Sequence, residues 1–320
     1  MVAQSLIFLH VLQLLCLTSS LALLPSPPKR AATITASSTT LQDAMVVNTQ
    51  IGEMRSAWHH LWEAFPNMHL PSQKDGPTTE KESFDHYYQS VQDLANVEIP
   101  RSDGGTLLAY QASGGDSNKV VLLIHEFFGL SQSICDKADA LAQDLQCTVI
   151  APDTFRGESS TFIPKCIWLA LSTPQDRVNR DLDAVLAWYH QKENKNPAPP
   201  SVAVMGFCYG GGKAIRYTTE CQPQAATVIC YGSPLIDVNA LRRLEKPVCG
   251  IFGATDVQFP PPVLTAFELA LQAAPVPDYS LTVYPCVGHA FWKDMEQVER
   301  KQEPQYSAYQ QVVTFLKQHL

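Results

Sequence analysis

The chain has 320 residues and a formal net charge of −8, because 31 acidic side chains outnumber 23 Lys and Arg. This acidic balance provides no basic surface for a polyanion, so we expect no nucleic-acid partner. Charged residues make up 17% of the chain and apolar residues 45%, which excludes a disordered chain and a coiled coil and leaves a globular protein of one or two domains.

The first 40 residues have the composition of a targeting leader. Residues 6–24 are strongly apolar, and we predict a signal-like segment over 1–22 that is cleaved after Ala22, with an N-terminal anchor helix as the alternative. The next segment, 23–40, is rich in Ser, Thr and Pro and has two basic residues and no acid, so it resembles a transit peptide. A signal followed by such a segment indicates import into a plastid of secondary origin, with simple secretion as the alternative. No later run of about 20 apolar residues occurs, so we expect no membrane span in the mature form.

A helical extension and linker are predicted over 41–94. Apolar residues recur at helical spacing over 41–65, and Pro66 ends that pattern. The stretch 71–79 is polar and contains turn-forming residues, which is typical of a linker.

From residue 95 to the end, predicted strands alternate with predicted helices. This alternation predicts one α/β domain over 95–320, with a mostly parallel sheet covered by helices on both faces. In such folds the functional site lies at the carboxyl ends of the strands. The predicted strands are 106–110, 120–124, 148–151, 202–207, 226–231, 248–252 and 281–284, and the predicted helices are 134–145, 180–190, 263–273 and 306–319.

A glycine-rich turn at 206–212 connects the predicted strand 202–207 to a helix. Its sequence, Gly-Phe-Cys-Tyr-Gly-Gly-Gly, has the G-x-nucleophile-x-G form of a nucleophile elbow, with Cys208 in place of serine. The helix N-terminus that follows stabilises a thiolate and a developing oxyanion. A phosphate-binding P-loop is excluded because Phe207 occupies the position of that motif's first glycine. We therefore predict that Cys208 is a nucleophile.

A nucleophile elbow requires an acid and then a histidine later in the chain. Asp256 follows the predicted strand 248–252, and His289 follows the predicted strand 281–284. The histidine can accept the thiol proton, and the aspartate can fix the tautomer of the imidazole and stabilise its charged form. Cys208, Asp256 and His289 are therefore the predicted catalytic triad.

The sequence His-Glu-Phe-Phe-Gly at 125–129 follows the predicted strand 120–124. This position supplies an oxyanion-hole amide in the corresponding hydrolases, so we expect the N–H groups of Phe127 and Tyr209 to hold the oxyanion. Residue 129 is glycine rather than histidine, which excludes an HExxH metal site. We expect neither a metal ion nor another cofactor.

Together the motifs HEFFG, PDTFRG, GFCYGGG, GATD and GHAF resemble those of the dienelactone hydrolase family, over about residues 95–320. The resemblance implies an α/β-hydrolase fold, a Cys-Asp-His triad and a small-molecule lactone or enol-ester substrate such as 4-carboxymethylenebut-2-en-4-olide. It also implies that Glu126 contacts the resting thiol and takes part in its activation when an anionic substrate binds. Without the resemblance, Glu126 would be interpreted as a surface acid.

The predicted substrate-binding residues depart from the pattern of the family members that cleave dienelactone. Those enzymes hold the substrate carboxylate with arginines and a serine, whereas this chain has Ala290 at the serine position and Lys293 at one arginine position. Lysine cannot provide the two-pronged contact of arginine. We expect substrate contacts from Trp292 and Lys293, and from Arg156 as a substitute for the missing arginine.

A non-catalytic or thiol-redox binding protein on the same scaffold is the alternative function, because a reactive, exposed thiol is also a feature of redox sensors. The presence of Asp256 and His289 favours the hydrolase, since a sensor needs no general base. A peptidase is less consistent with the chain, in which nothing resembles an added peptide-binding domain. We expect a monomer that acts on small molecules.

Overall fold

The computed structural model describes residues 90–160, 162–192 and 199–320. The predicted leader segments, the predicted helix at 41–65 and the linker at 71–79 lie outside these residues. The described part contains an eight-stranded sheet. Its strands are β1 (Val97–Pro100), β2 (Thr106–Ser113), β3 (Asp116–Ile124), β4 (Cys147–Pro152), β5 (Ser201–Phe207), β6 (Ala226–Cys230), β7 (Val248–Gly253) and β8 (Tyr279–Tyr284).

Helices connect most of these strands within the described residues. They are α1 (Val91–Leu94), α2 (Gln132–Leu145), α3 (Ile163–Ser172), α4 (Gln175–Lys192), α5 (Tyr209–Glu220), α6 (Val238–Leu241), α7 (Pro261–Ala273), α8 (Met295–Glu299) and α9 (Gln305–His319).

The strands lie in the order β1-β2-β4-β3-β5-β6-β7-β8. Strands β1 and β2 pair antiparallel with their neighbours, and the six strands from β3 to β8 run parallel. The prediction of a mostly parallel α/β sheet is therefore confirmed, and its form is that of an α/β hydrolase. Because the six parallel strands share one direction, their carboxyl ends meet along a single edge.

The apolar strand β3 shows why helices cover both faces of the sheet. Val121 and Leu123 belong to the core that the sheet forms with α2 and α9. Val120, Leu122 and Ile124 point the other way, into the core that the sheet forms with α4 and α5. Each of these five side chains is fully buried. A strand with apolar residues on both faces is stable only when both faces are covered.

Several short elements were not predicted from the sequence. Helix α1 lies in the stretch assigned to the linker, yet its Val91 and Leu94 are buried in the core with α2. Helices α6 and α8 have four and five residues, too few to show a helical period. Helix α3 lies in an interval for which the sequence predicted no element.

Glycines bring the start of α5 against the ends of β3 and β5. A Cβ atom on Gly210 would lie only 2.2 Å from the carbonyl oxygen of Ile124, and a Cβ on Gly206 would lie 2.2 Å from the backbone of Gly210. Only glycine permits this approach of two backbones. The residue between these glycines, Cys208, is thereby held close to the loop that follows β3.

We predict that Gly210→Ala destabilises the protein by roughly 1–3 kcal/mol, because overpacking displaces the backbone of α5 or β3. Gly288→Ala is the matched control, since a Cβ at that position would meet its nearest atom, Oγ1 of Thr255, at an ordinary 3.5 Å. Denaturant unfolding of both variants measures the difference. Equal stability of Gly210→Ala and the wild type would contradict the close contact.

Candidate active site

Cys208 occupies a strained turn between β5 and α5. Its backbone has φ 52° and ψ −113°, in a region that residues other than glycine rarely adopt. Its amide donates a hydrogen bond to the carbonyl of Cys230 at 2.9 Å, which fixes the turn to the end of β6. The half-buried thiol stands at the N-terminus of α5, where the helix dipole favours negative charge.

Three side chains from separate strand ends form a continuous polar chain. The Nε2 atom of His289 lies 3.0 Å from Sγ of Cys208, and its Nδ1 lies 2.8 Å from Oδ2 of Asp256. The other oxygen of the buried Asp256 carboxylate accepts hydrogen bonds from the amides of Gln258 and Phe259. The two amides therefore fix the carboxylate, which in turn orients the imidazole with Nε2 toward the sulfur.

The surroundings of His289 favour its protonated form. Burial by itself would lower the pKa, but the hydrogen bonds to Asp256 and Cys208, together with their negative charges, outweigh burial and raise the pKa to about 10. An imidazole with this environment can accept a proton from the thiol and retain it beside a thiolate.

We predict that Asp256→Asn lowers the pKa of His289 by more than one unit, because the variant removes the carboxylate charge that favours the imidazolium. NMR titration of ¹⁵N-histidine-labelled protein measures this pKa. The exposed Asp278 provides the control variant, Asp278→Asn, which should leave the titration unchanged. The ion pair stabilises the native state fully below pH 6.5, and this stabilisation is lost as the pH rises through the folded pKa. An unchanged His289 titration in Asp256→Asn would contradict the assignment of the carboxylate.

Glu126 lies in a cluster with Tyr231 and His289. Its Oε1 accepts a hydrogen bond from the Tyr231 hydroxyl at 3.2 Å, and the Tyr231 ring meets the His289 ring edge-on, with centroids 5.5 Å apart. Burial raises the pKa of Glu126, while the positive charges of Lys137 and His289 and the Tyr231 hydrogen bond oppose that rise. No role was predicted for Tyr231, although its position directly after β6, at the carboxyl edge of the sheet, could have indicated a site residue.

The predicted oxyanion-hole residue Phe127 lies in a turn supported by a buried histidine. Nε2 of His125 accepts a hydrogen bond from the Thr154 amide at 3.2 Å, so the ring proton resides on Nδ1. Nδ1 then donates to the carbonyl of Glu126 at 2.6 Å. Burial lowers the pKa of His125, in agreement with a neutral ring. This contact fixes the peptide group between Glu126 and Phe127, whose N–H is the predicted donor.

The second predicted oxyanion-hole residue, Tyr209, is the first residue of α5. Amides in the first turn of a helix have no acceptor within the helix, so its N–H is free of the helical hydrogen-bond pattern. Its side chain points away from this role: the hydroxyl lies 3.2 Å from Oγ1 of Thr154. The backbone of Tyr209 therefore remains beside Cys208 while its ring is fixed elsewhere.

Arg156 and Trp292, two of the predicted substrate-binding residues, make contacts within the protein. The guanidinium of Arg156 makes a two-pronged contact with Asp181, at 2.6 and 3.1 Å, and also approaches Asp103. Both edges of its fork are therefore directed at carboxylates of the protein. Trp292 is fully buried, and its ring packs on Phe207 with centroids 5.1 Å apart.

The side chain of Lys293 is exposed, and its backbone carbonyl makes its contacts near the site. Its carbonyl accepts hydrogen bonds from the hydroxyl of Ser133 and from the ammonium of Lys137.

Over residues 90–160, 162–192 and 199–320, no cluster of His, Cys, Asp and Glu is suited to hold a metal ion. No helix in the same ranges is long and apolar enough to cross a membrane.

Comparison with known sequences identifies relatives of the same kind. The sequence model of the dienelactone hydrolase family matches residues 106–320. A Salmonella typhimurium protein provisionally named carboxymethylenebutenolidase is 31% identical over 215 residues, which cover 62% of this chain and 77% of that protein. A protein of the same provisional name from Methylorubrum extorquens is 28% identical over 239 residues, covering 70% of this chain and 80% of that protein.

Solved structures show the same fold. A Klebsiella pneumoniae protein provisionally named dienelactone hydrolase superposes with a TM-score of 0.60 at 27% identity, over 69% of this chain and 97% of that one. A dienelactone hydrolase from Anabaena variabilis superposes with a TM-score of 0.52 at 18% identity, over 70% of this chain and 96% of that one. The fold and the strand-end site define a hydrolase of the α/β-hydrolase class. The chain belongs to the dienelactone hydrolase family, whose members act on carboxylic ester and lactone bonds, and it is a hydrolase of that type.

Proposed function

We propose that this protein hydrolyses a small-molecule lactone or ester with Cys208 as the nucleophile and His289 and Asp256 as its proton-transfer pair. The observation that carries the proposal is the aligned chain of contacts from Sγ through the imidazole to the buried carboxylate, at 3.0 and 2.8 Å. Both distances suit direct proton transfer and orientation of the ring.

The reaction proceeds in two halves. The thiol proton passes to Nε2 of His289, and the sulfur of Cys208 bonds to the substrate carbonyl carbon. The amides of Phe127 and Tyr209 donate hydrogen bonds to the oxyanion. The carbon–oxygen bond to the leaving group then breaks, and His289 returns the proton to that oxygen. In the second half His289 takes a proton from water and the resulting hydroxide attacks the thioester carbonyl carbon. The carbon–sulfur bond then breaks, His289 returns the proton to the sulfur of Cys208, and the acid and the free thiol are released.

We assign Glu126 to the activation of the thiol. Its carboxylate contacts Tyr231, and its negative charge acts on the same imidazole that accepts the thiol proton. A negative charge at this position favours the imidazolium, and thereby the thiolate that pairs with it.

We predict that Cys208→Ala lowers kcat/KM for p-nitrophenyl acetate about 10⁴-fold or more, because removal of a nucleophile leaves only binding and oxyanion stabilisation. The exposed Cys286 provides the control, Cys286→Ala, which should retain wild-type activity. Retained hydrolysis in Cys208→Ala would exclude the mechanism. A wild-type protein that fails to turn over esters and lactones while Cys208 still reacts with iodoacetamide would favour the thiol-redox alternative.

We also propose that the site prefers uncharged acyl groups over substrates that carry a carboxylate. Arg156 is directed at Asp181 and Asp103, and Lys293 has an exposed side chain. Ala290 provides no hydroxyl next to His289. None of the residues predicted to bind a substrate carboxylate therefore provides it with two parallel hydrogen bonds at this site.

The expected selectivity can be measured as kcat/KM for dienelactone against an uncharged lactone or aryl ester of similar size. Each lost hydrogen bond to a charged group weakens binding by about 1.5–3 kcal/mol, or from about tenfold to more than a hundredfold. We predict that the uncharged compound is hydrolysed at least as efficiently as dienelactone. A preference for the charged substrate of about tenfold or more would show that an anion site exists and would contradict the proposed selectivity.

A further inference from the structure

Lys137 is a buried cation next to the active site that the mechanism above does not use. It lies on α2, where a lysine would ordinarily reach solvent, yet its side chain has no exposed surface. Its ammonium donates hydrogen bonds to Oγ of Ser133 at 2.6 Å and to the carbonyl of Lys293 at 2.7 Å. The ammonium also lies over the rings of Phe207 and Trp292, at 5.0 and 5.8 Å from their centroids.

A buried ammonium requires a compensating negative charge, because removal of an ion from water is costly. Among the described residues, no Asp or Glu oxygen lies within 4.0 Å of Nζ of Lys137, so no carboxylate forms an ion pair with it. Burial lowers the pKa of Lys137, and the charge of Glu126 is the strongest influence that opposes this change, ahead of Cys230 and Asp294. The Tyr231 hydroxyl joins the two groups in space: it lies 3.2 Å from Oε1 of Glu126 and 3.0 Å from the carbonyl of Trp292, the residue before the Lys293 whose carbonyl the ammonium contacts. This proximity and the missing ion pair make Glu126 the main counter-charge of the ammonium.

The charge of Lys137 acts on the Glu126 carboxylate in the same way. Burial raises its pKa, and the charge of Lys137 is the strongest opposing influence, ahead of the Tyr231 hydrogen bond and the His289 charge. These groups approach Glu126 from different elements: Lys137 from α2, Tyr231 from the end of β6 and His289 from the loop after β8. Without the ammonium, burial of the carboxylate is opposed only by the two weaker influences.

The second contact of Lys137 reaches the loop that carries His289. Lys293 lies four residues after His289, and its carbonyl receives hydrogen bonds from both Lys137 and Ser133. Between them, Ala290 has φ 53°, so the loop turns sharply directly after the catalytic histidine. The ammonium thus connects α2 to the far end of this turn.

We propose that Lys137 is a positioning residue of the active site: its ammonium is the internal counter-charge of Glu126 and anchors the loop that carries His289. This inference rests on the proposed function, because only that proposal gives Glu126 and His289 a part in catalysis. The inference is carried by the burial of Lys137, its two hydrogen bonds and its place between the Glu126 loop and the His289 loop.

Two substitutions separate the charge from the hydrogen bond. Lys137→Gln removes the charge but keeps a donor for the Lys293 carbonyl, and Lys137→Met removes both. The exposed Lys317 on α9 provides the matched control, Lys317→Met, with no expected change. Glu126 is followed by carbon-13 NMR of labelled glutamate carboxyls, with its signal assigned by its loss in Glu126→Gln.

We expect Lys137→Gln to raise the pKa of Glu126 by more than one unit. The acid limb of kcat/KM, which follows the ionised carboxylate, should move to higher pH by a similar amount. Above that limb, Lys137→Gln should stay within a few-fold of wild-type kcat, whereas Lys137→Met should lose more than tenfold. In a Glu126→Gln background, Lys137→Gln should have no further effect on the pH profile, since coupled residues are not additive.

An unchanged Glu126 pKa in Lys137→Gln would overturn the counter-charge role, and equal kcat for the Gln and Met variants would overturn the anchoring role. If both variants fail to fold, Glu126→Gln provides the reciprocal measurement. By linkage it should lower the pKa of Lys137 in a ¹⁵N-lysine titration, and an unchanged value would overturn the proposal. These NMR measurements require no turnover, so they remain decisive if Cys208→Ala shows that the proposed function is wrong.

Discussion

The close packing of α5 on the end of β3 is the constraint on which the rest of the site depends. Gly210 lets the start of α5 approach the end of β3, and Gly206 at the end of β5 lets that strand approach the same turn of α5, both more closely than a side chain would permit. Cys208 is left in a strained turn between these two glycines. This one contact places the sulfur at a helix N-terminus and beside the loop after β3. The hydrogen bond from Cys208 to the end of β6 then fixes it relative to the next strand.

Around this turn, the carboxyl edge of the sheet concentrates charges that are individually unfavourable to bury. Asp256, His289, Glu126 and Lys137 come from four different elements, and each is compensated by another member of the group or by backbone amides. In a low-dielectric environment such compensation is strong, and loss of one partner leaves the other costly. The protonation states of the site are therefore a property of the cluster rather than of any single residue.

Sequence patterns identified the parts of this cluster that follow strands within short motifs. The turn around Cys208 and the positions of Asp256 and His289 after strands were visible because chain order and strand ends follow from local patterns. Tyr231 and Lys137 were missed: the first looked like the end of an apolar strand, and the second like an ordinary surface lysine of a helix. Their roles depend on the elements that pack against them, about which a local pattern contains no information.

Local periodicity and motif spacing determined the α/β class, most of the strands and the order in which the candidate nucleophile, acid and histidine appear. These properties are encoded by residues near one another in the chain. Only the tertiary structure decided which side chains reach the site: it directed Arg156 to Asp181, buried Trp292 in the core and turned Lys137 inward. The physical reason is that burial and pairing arise between residues far apart in sequence, whose distance is set by how helices and strands pack.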